Sequence, residues 1–282
     1  MCDRSVDVLM ITHDSPEYVR RSLPRLLESC DDETRVWLWH NGDHEETLEV
    51  TRSFVGDPRV HRFHHSRENL KLRAPTNWLW ENATGGFVGK VDDDCLLEPR
   101  WIRTLREAHL AYPRFGVLGA WRFPDEDYVS ELADRKLQTF PGGHRVLRNF
   151  WVQGSGYLMK RVCTVELGPL APQQSFPQYC IELSLRGWAN GWYHPFVHED
   201  HMDDPRSPNT GLRTDADLER RLPLTARRNG VETIDAWTEQ LRRSARASLA
   251  APLDPRYFVG WRKKRRRLYK RTRRLVGIRR EW

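Results

Sequence analysis

The chain has 282 residues, of which 39% are hydrophobic and 30% are charged. This length supports one large or two small domains with a core of their own, which excludes a small scaffold held by disulfides. No apolar run approaches the roughly 18 to 20 residues that a membrane-spanning helix needs. The five cysteines are scattered and form no C-x-x-C pair, which argues against a disulfide framework and against a cysteine zinc site.

The net charge of +7 is unevenly distributed along the chain. Residues 256–282 contain thirteen Lys or Arg and one Glu, a charge of +12, so residues 1–255 carry −5. The first seven residues include acids where a signal peptide would have a basic region followed by an apolar one. We therefore expect a cytoplasmic protein with a slightly acidic body and a basic tail.

The first 120 residues alternate β-rich runs with helical patterns, which predicts a mostly parallel sheet with crossover helices. Val6–Thr12 is almost continuously apolar, as expected for a strand buried on both faces, and Pro16 marks the start of a helix. The next predicted elements are a strand Arg35–His40, a helix His44–Phe54, a strand Val60–His64, a helix Pro75–Ala83, a strand Phe87–Val91, a helix Pro99–Tyr112 and a strand Val117–Trp121.

The pattern then breaks in a segment rich in Pro, Gly and charge, at residues 123–144. After it, Val146–Val152 predicts a strand, Gly154-Ser155-Gly156 a turn, and residues 177–188 a helix. From Thr214 onward the apolar spacing is again helical, which predicts a helical C-terminal extension.

Three consecutive aspartates, Asp92, Asp93 and Asp94, follow the fourth predicted strand. Carboxylates repel one another, and their burial is costly unless a cation or hydrogen-bond donors compensate. Mg²⁺ or Mn²⁺ is the natural compensator, because such hard cations take oxygen ligands and often bind phosphates as well. In open α/β sheets, ligands bind beyond the carboxyl ends of the strands, which is where these aspartates lie. A solvated loop is the alternative.

The order of these features resembles the nucleotide-sugar half of the family 2 glycosyltransferases with the GT-A fold, a Rossmann-like α/β fold. The resemblance covers roughly residues 5 to 205. It rests on the first strand and its helix and on four motifs, which are Trp37-Leu38-Trp39-His40-Asn41-Gly42-Asp43, Glu68-Asn69-Leu70, Asn77 and Gly89-Lys90-Val91-Asp92-Asp93-Asp94.

The resemblance implies a mostly parallel central sheet flanked by helices, with residues 1–122 as the nucleotide-sugar half and 123–212 as the acceptor half. Apolar spacing and charge add a helical extension at 213–255 and the basic tail at 256–282. Asp92 and Asp94 would form the D-x-D pair. The implied donor-binding residues are Thr12, His13, Asn41, Asn77, Asp92, Asp93 and Gly154, with Asp94 as a metal ligand.

Transfer of a sugar to a hydroxyl also needs a general base. The family places it in a Glu-Asp pair at the start of the acceptor helix, but Tyr179-Cys180 stands at that position here. Glu182 is the first candidate to replace it, and Glu199 or Asp200 is the second. The alternative for Glu182 is an ordinary glutamate in the first turn of a helix.

A dense cluster of histidines and acids occupies residues 193–204. The resemblance implies a histidine there that completes the metal shell, and His198 and His201 both qualify, with a polar loop as the alternative. A zinc-protease helix is excluded, because H-E-x-x-H needs its histidines four residues apart. Most of the twelve tryptophans are predicted core residues, while Trp151, Trp188 and Trp192 are candidates for stacking on an acceptor sugar.

In the basic tail, Trp261, Leu268, Leu275 and Trp282 recur every seven residues. This spacing predicts a cationic amphipathic helix that binds an anionic membrane surface. Binding of nucleic acid by the tail is a less favoured alternative, and a tail that is merely solvated is the simplest alternative.

The sequence therefore predicts a cytoplasmic glycosyltransferase, peripheral at the inner face of the plasma membrane, that uses Mn²⁺ or Mg²⁺. It would move a sugar, with inversion, from a nucleoside diphosphate sugar to a glycan or lipid-linked acceptor. A nucleotidyltransferase acting on sugar phosphates is one alternative. A catalytically impaired adaptor that binds membranes or nucleic acid is the other.

Overall fold

A computed structural model of the protein describes residues 3–262. Its strands are β1 Val6–Thr12, β2 Thr34–Asn41, β3 Val60–Ser66, β4 Phe87–Asp92, β5 Cys95–Leu97, β6 Phe115–Gly119, β7 Leu137–Thr139, β8 Arg145–Asn149, β9 Tyr157–Lys160, β10 Ala189–His194 and β11 Glu199–His201. Its α-helices are α1 Pro16–Glu28, α2 Glu45–Ser53, α3 Arg73–Asn82, α4 Trp101–Ala111, α5 Ser130–Ala133, α6 Val162–Leu167, α7 Phe176–Leu185, α8 Asp215–Arg221, α9 Leu224–Asn229 and α10 Ile234–Ala250.

Nine strands form one sheet in the order β3-β2-β1-β4-β9-β6-β10-β8-β7. β8 and β9 run opposite to the other strands of this sheet, so it is mostly parallel. The carboxyl ends of β1, β2, β4, β6 and β10 consequently meet at one edge. The remaining two strands, β5 and β11, form a separate antiparallel ribbon.

Helices cover both faces of the large sheet, which explains why β1 is buried along its whole length. Leu9 and Ile11 point into one hydrophobic cluster with residues of α3 and α7. Val8 and Met10 point into the other cluster, with residues of α1 and α4. Successive side chains of a strand alternate between faces, so a strand covered on both sides needs apolar residues at every position.

The structure confirms the predicted fold class, and the predicted β1 and the start of α1 coincide with the observed ones. Other boundaries differ. The strand predicted at Val117–Trp121 is found at Phe115–Gly119, and the helix predicted to reach Trp188 ends at Leu185. The strands β5, β7, β9, β10 and β11 were not predicted. Three of them have only three residues, and β9 and β10 lack a clear alternation of apolar and polar residues.

The predicted helical extension consists of α8, α9 and α10, which enclose a small core of their own. Trp237 of α10 is 1% exposed, and its indole N–H donates to the backbone oxygen of Asp203 at 2.7 Å. Arg206, in the same loop, makes ion pairs with Asp127 and Asp204 at 2.9 and 2.8 Å, and Arg242 of α10 pairs with Glu126 at 3.3 Å. The extension thus fixes the loop that follows β11.

Within residues 3–262, the search for a helix both long and apolar enough to cross a membrane finds none. Most of the predicted amphipathic tail, residues 263–282, lies outside the described part of the chain. The prediction that it binds membranes therefore rests on its sequence pattern.

Candidate active site

The three aspartates lie at the carboxyl edge of the sheet, as predicted. Asp92 ends β4, and Asp93 and Asp94 form the turn that leads into β5. The ammonium group of the buried Lys90 makes a close ion pair with Asp92, and the backbone N–H of Asp92 donates to Ser155 Oγ at 3.0 Å. Asp93 accepts the backbone N–H of His13 at 2.8 Å. These contacts join the ends of β1 and β4 to the loop before β9.

The ribbon of β5 and β11 brings His201 to Asp94. Because His201 pairs with Cys95 across the ribbon, its imidazole Nε2 lies 3.4 Å from Asp94 Oδ2. One ligand atom of each of Asp94, Cys95 and His201 falls within 4.8 Å of the others. The backbone N–H of Met202 also donates to the carbonyl oxygen of Asp94, at 2.8 Å, and holds the turn against β11.

The chemistry of these groups selects among metals. Burial raises the pKa of the Cys95 thiol well above its ordinary value, so the sulfur stays protonated and donates to Asp94 Oδ1 at 3.1 Å. Because the thiol donates to this carboxylate, the groups left to face a cation are a carboxylate oxygen of Asp94 and an imidazole nitrogen of His201. This donor set, completed by phosphate oxygens, suits Mn²⁺ or Mg²⁺ better than a soft thiophilic metal. The residues present therefore fit the predicted cation.

Negative charge dominates this region. Asp92 and Asp94 keep about a quarter of their side-chain surface exposed, 25% and 24%. Burial and neighbouring carboxylates nevertheless raise the pKa of Asp92 and of Asp93. Burial alone would also raise the pKa of Asp94, but the His201 imidazole outweighs it and holds that pKa below its ordinary range.

Asp203 adds a further carboxylate to the group, which the sequence did not single out. Burial, together with the charge of Asp94, raises its pKa to about 6, and it accepts the hydroxyl of Tyr18 at 3.1 Å. A cluster of this kind is stabilised by a cation, because paired opposite charge offsets both the desolvation and the mutual repulsion.

Glu199 is the remaining carboxylate of the cluster. It is 2% exposed, and neither of its carboxylate oxygens has a hydrogen-bond partner within residues 3–262. Burial raises its pKa to about 7. It packs directly on Gly156, where a Cβ atom would lie 1.9 Å from Glu199 Oε2. Gly156 has φ of +60°, so it also needs the backbone freedom of glycine.

The alternation of β11 separates the sequence-predicted residues around Glu199. Glu199 and His201 share one face of the ribbon, whereas His198 and Asp200 lie on the other. His198 Nε2 lies 3.9 Å from Asp125, and Asp200 accepts the side-chain amide of Asn209 at 2.7 Å. The structure thus brings His201 and Glu199 to the aspartates and turns His198 and Asp200 away from them.

Glu182, the first sequence candidate for the general base, makes its hydrogen bond in a different part of the protein. It is exposed on α7, where its carboxylate accepts the amide of Gln174 at 2.9 Å. Tyr179 and Cys180, which replace the family's Glu-Asp pair, are buried in the core. The Tyr179 hydroxyl donates to the carbonyl oxygens of Cys163 and Gly168, at 3.1 and 3.0 Å. This turn of α7 therefore serves packing.

His13, Asn41 and Asn69 form a closed ring of hydrogen bonds at the ends of β1 and β2. Asn69 donates to His13 Nε2 at 2.8 Å, His13 Nδ1–H donates to the Asn41 carbonyl at 2.6 Å, and Asn41 donates to Asn69 Oδ1 at 2.9 Å. The Asn41 amide also holds Leu70 and Lys71. It shapes the loop after β3, and the His13 side chain beside this loop stays 40% exposed.

Thr12 and Asn77 are engaged within the protein. Thr12 is fully buried and bonds His40 Nδ1 at 3.0 Å, and burial lowers the pKa of His40 to about 4. The Asn77 side-chain oxygen accepts the backbone N–H of Leu170 at 2.8 Å, and its amide N–H donates to the Leu170 carbonyl at 3.1 Å. Gly154 faces open space, with Phe176 Cβ as the only atom within 4 Å of an added Cβ among the described residues.

Residues 7–158 match the family described as glycosyl transferase family 2. This match spans more than half of the chain, so the protein belongs to that family and is a glycosyltransferase. Membership in this family favours glycosyl transfer over the nucleotidyltransferase alternative.

Similar solved structures include the mannosyltransferase PcManGT from Pyrobaculum calidifontis, described in complex with GDP-Man and Mn²⁺. Its TM-score is 0.59 at 16% identity, and the alignment covers 89% of this chain and 74% of that one. TarS 1-349 from S. aureus, in complex with UDP-GlcNAc, aligns with a TM-score of 0.49 at 14% identity, over 67% of this chain and 55% of that one. The first of these likenesses supports the GT-A fold.

Proposed function

We propose that this glycosyltransferase is metal dependent and moves a sugar from a nucleoside diphosphate sugar to a hydroxyl of a glycan or lipid-linked acceptor. The observation that carries the proposal is the partly buried group of Asp92, Asp93, Asp94 and His201 at the carboxyl edge of the sheet. Bound GDP-Man and Mn²⁺ in the similar mannosyltransferase support the same assignment of donor class and cation.

In this proposal Asp94 and His201 hold Mn²⁺ or Mg²⁺. When bound, the cation stabilises the negative charge that develops on the departing diphosphate. The Cys95 thiol and the Met202 N–H fix the orientation of Asp94, as outer partners of a metal ligand commonly do. The Lys90 ammonium group neutralises the Asp92 carboxylate, so Asp92 adds little to the repulsion among the other carboxylates of the cluster.

On the donor side, Asp93 holds the backbone of His13 and so fixes the end of β1 beside the diphosphate position. The His13 ring faces the nucleotide, while Asn41 keeps the loop after β3 closed beneath it. The buried Thr12 supports the ends of β1 and β2 from inside the protein, through its hydrogen bond with His40.

On the acceptor side, we assign the proton acceptor to Glu199. It is the one of the three sequence candidates whose contacts lie among the aspartates and His201. The acceptor hydroxyl gives its proton to this carboxylate and its oxygen forms the new bond to the anomeric carbon. The bond from that carbon to the diphosphate breaks, with its electron pair leaving on the diphosphate, and the configuration inverts.

The experiment compares donor turnover by the wild type and two substitutions of the same kind. Release of nucleoside diphosphate from a panel of UDP-, GDP- and dTDP-sugars is measured with Mn²⁺, with Mg²⁺ and with EDTA. We expect Asp94→Asn to abolish metal-dependent turnover, and Asp32→Asn, at an exposed residue of the turn before β2, to retain it. Turnover that is indifferent to EDTA, or that survives Asp94→Asn, contradicts the proposal.

Attachment to an anionic membrane through residues 256–282 belongs to the same proposal and would place the enzyme at a lipid-linked acceptor. The +12 charge of this segment supports it. Sedimentation with vesicles that contain anionic lipid tests it, and binding that does not weaken with salt would contradict it.

A further inference from the structure

The loops that follow β6 and β10 lie at the same edge of the sheet as the aspartates. In the strand order β4-β9-β6-β10, their ends are two and three strand spacings from Asp92. At about 4.8 Å per spacing, this distance is about 10 to 14 Å. The two loops are also bonded to each other, since Trp121 N–H donates to the Val197 carbonyl at 2.7 Å and Glu199 N–H donates to the Trp121 carbonyl at 2.9 Å.

Aromatic rings gather where these loops meet. Phe196 is half-buried and stacks on the fully buried Trp121, with ring centroids 4.9 Å apart and planes 13° from parallel. This contact covers one face of Phe196, and the side chain as a whole stays partly exposed. Tyr128, His194 and His198 stand around Phe196 nearly perpendicular to it, at interplanar angles of 77° to 81°.

Polar groups border this ring. The His198 side chain is 40% exposed, and its Nε2 lies 3.9 Å from Asp125, whose side chain is 90% exposed. Tyr128, which is also partly exposed, adds a second aromatic ring to this border. One aromatic platform is therefore surrounded by hydrogen-bonding groups that differ in charge, which is the usual composition of a small-molecule site.

We propose that Phe196, with Tyr128, His198 and Asp125 at its rim, forms the subsite that binds a sugar ring of the acceptor. A pyranose has an apolar face of C–H groups and a periphery of hydroxyls, and this arrangement matches both. A lipid chain would instead need a continuous apolar surface, which the charged rim interrupts. The proposal names the acceptor class of the proposed transfer reaction, as a glycan, and in that sense rests on the proposed function.

The chain connects this subsite to the carboxylates within one residue. His198 and Glu199 are consecutive and point to opposite faces of the same segment. A sugar on Phe196 would lie across this segment from the Glu199 carboxylate, so the subsite fits a ring of the acceptor glycan other than the one whose hydroxyl reacts. This placement also accounts for His198, which the sequence offered as a metal ligand and the structure turns towards Asp125.

Binding of simple glycosides to the full chain tests the subsite. The probes are the methyl pyranosides of glucose, galactose, mannose and N-acetylglucosamine, measured by saturation-transfer NMR. We expect at least one to bind, and Phe196→Leu to weaken that binding about three- to tenfold, because an aromatic contact is lost while bulk is retained. Phe196→Trp should restore it. Tyr257→Leu, at an exposed aromatic residue of the C-terminal region, should bind as the wild type does.

Two further variants keep the test decisive if Phe196→Leu does not fold. His198→Ala and Asp125→Asn change exposed side chains and should each weaken binding of the same glycoside about threefold. The proposal is overturned if no glycoside binds the wild type, or if all variants that fold bind it equally well. Release of nucleoside diphosphate by the wild type, measured on the same preparation, separates this failure from failure of the proposed transfer reaction.

Discussion

Gly154 and Gly156 offer a matched pair of substitutions two residues apart. At Gly156 a Cβ atom would lie 1.9 Å from Glu199 Oε2 and 3.3 Å from Ala120 Cβ, at a φ of +60°. At Gly154 the nearest atom would be Phe176 Cβ, at 3.9 Å, which is ordinary contact. We therefore expect Gly156→Ala to displace the Glu199 carboxylate and Gly154→Ala to leave it in place.

The size of the effect follows from two contributions. Left-handed backbone costs an alanine about 1–2 kcal/mol. Overpacking against the buried Glu199 adds about 1–3 kcal/mol, so Gly156→Ala should lower the free energy of unfolding by about 2–5 kcal/mol. Gly154→Ala should change it by about 0.5 kcal/mol or less. If Glu199 accepts the acceptor proton, a shift of about 1 Å should also slow sugar transfer about 100-fold.

Urea unfolding followed by tryptophan fluorescence measures the stability, and donor turnover with acceptor measures the transfer. Glu199→Ala in the Gly156→Ala protein should remove the packing conflict but not the backbone strain, which gives a coupling of about 1–3 kcal/mol. The reasoning is refuted if the two alanine variants unfold within about 0.5 kcal/mol of each other, or if the double-mutant cycle shows no coupling.

The remaining predictions concern the metal, the pH dependence and the C-terminal extension. His201→Ala should weaken Mn²⁺ binding by about 100-fold or more in calorimetric titration, whereas equal losses in His198→Ala and His201→Ala would contradict the site. Burial lowers the pKa of His109 to about 3, so the unfolded chain binds the proton more readily below pH 6.5. The free energy of unfolding should therefore fall by about 2 kcal/mol from pH 8 to pH 5 on account of this residue, and His109→Gln should remove that part of the slope, which urea unfolding at several pH values measures. Arg206→Leu removes the cation that two almost fully buried aspartates share, leaving Asp127 only the Arg242 Nε at 4.0 Å, and should cost about 3–5 kcal/mol. Arg242→Leu, whose nearer partner is the exposed Glu126, should cost less than about 1 kcal/mol in the same urea assay.

The first half of the fold was predictable because its elements are long and its sheet is covered on both faces. Val6–Thr12 had to be apolar at every position, and Ser15-Pro16 marks a helix start by local stereochemistry. The Asp-rich turn after β4 was predictable for a related reason, since parallel strands place their ligands at one edge. Boundaries in this half differ from the prediction by a few residues at most.

The acceptor half was less predictable because its contacts join distant parts of the chain. β5 and β11 have three residues each, and their pairing across a hundred residues decides that His201 meets Asp94. The same pairing decides that Glu199 faces the aspartates while Asp200 and His198 face away. Sequence reasoning offered all four residues and had no means of choosing, because the face of a short strand depends on its register with a partner.

The sequence by itself determined the class of the fold, the presence of an acidic edge and the polar character of the segment after β10, since composition and periodicity act locally. The tertiary structure alone decided which acids and histidines share a site. It packed Glu199 against Gly156, buried Tyr179 and Cys180 in the core, and stacked Phe196 on Trp121. These outcomes depend on packing between residues far apart in sequence, where the cost of a buried charge or an overlapping atom is set by neighbours that no local pattern specifies.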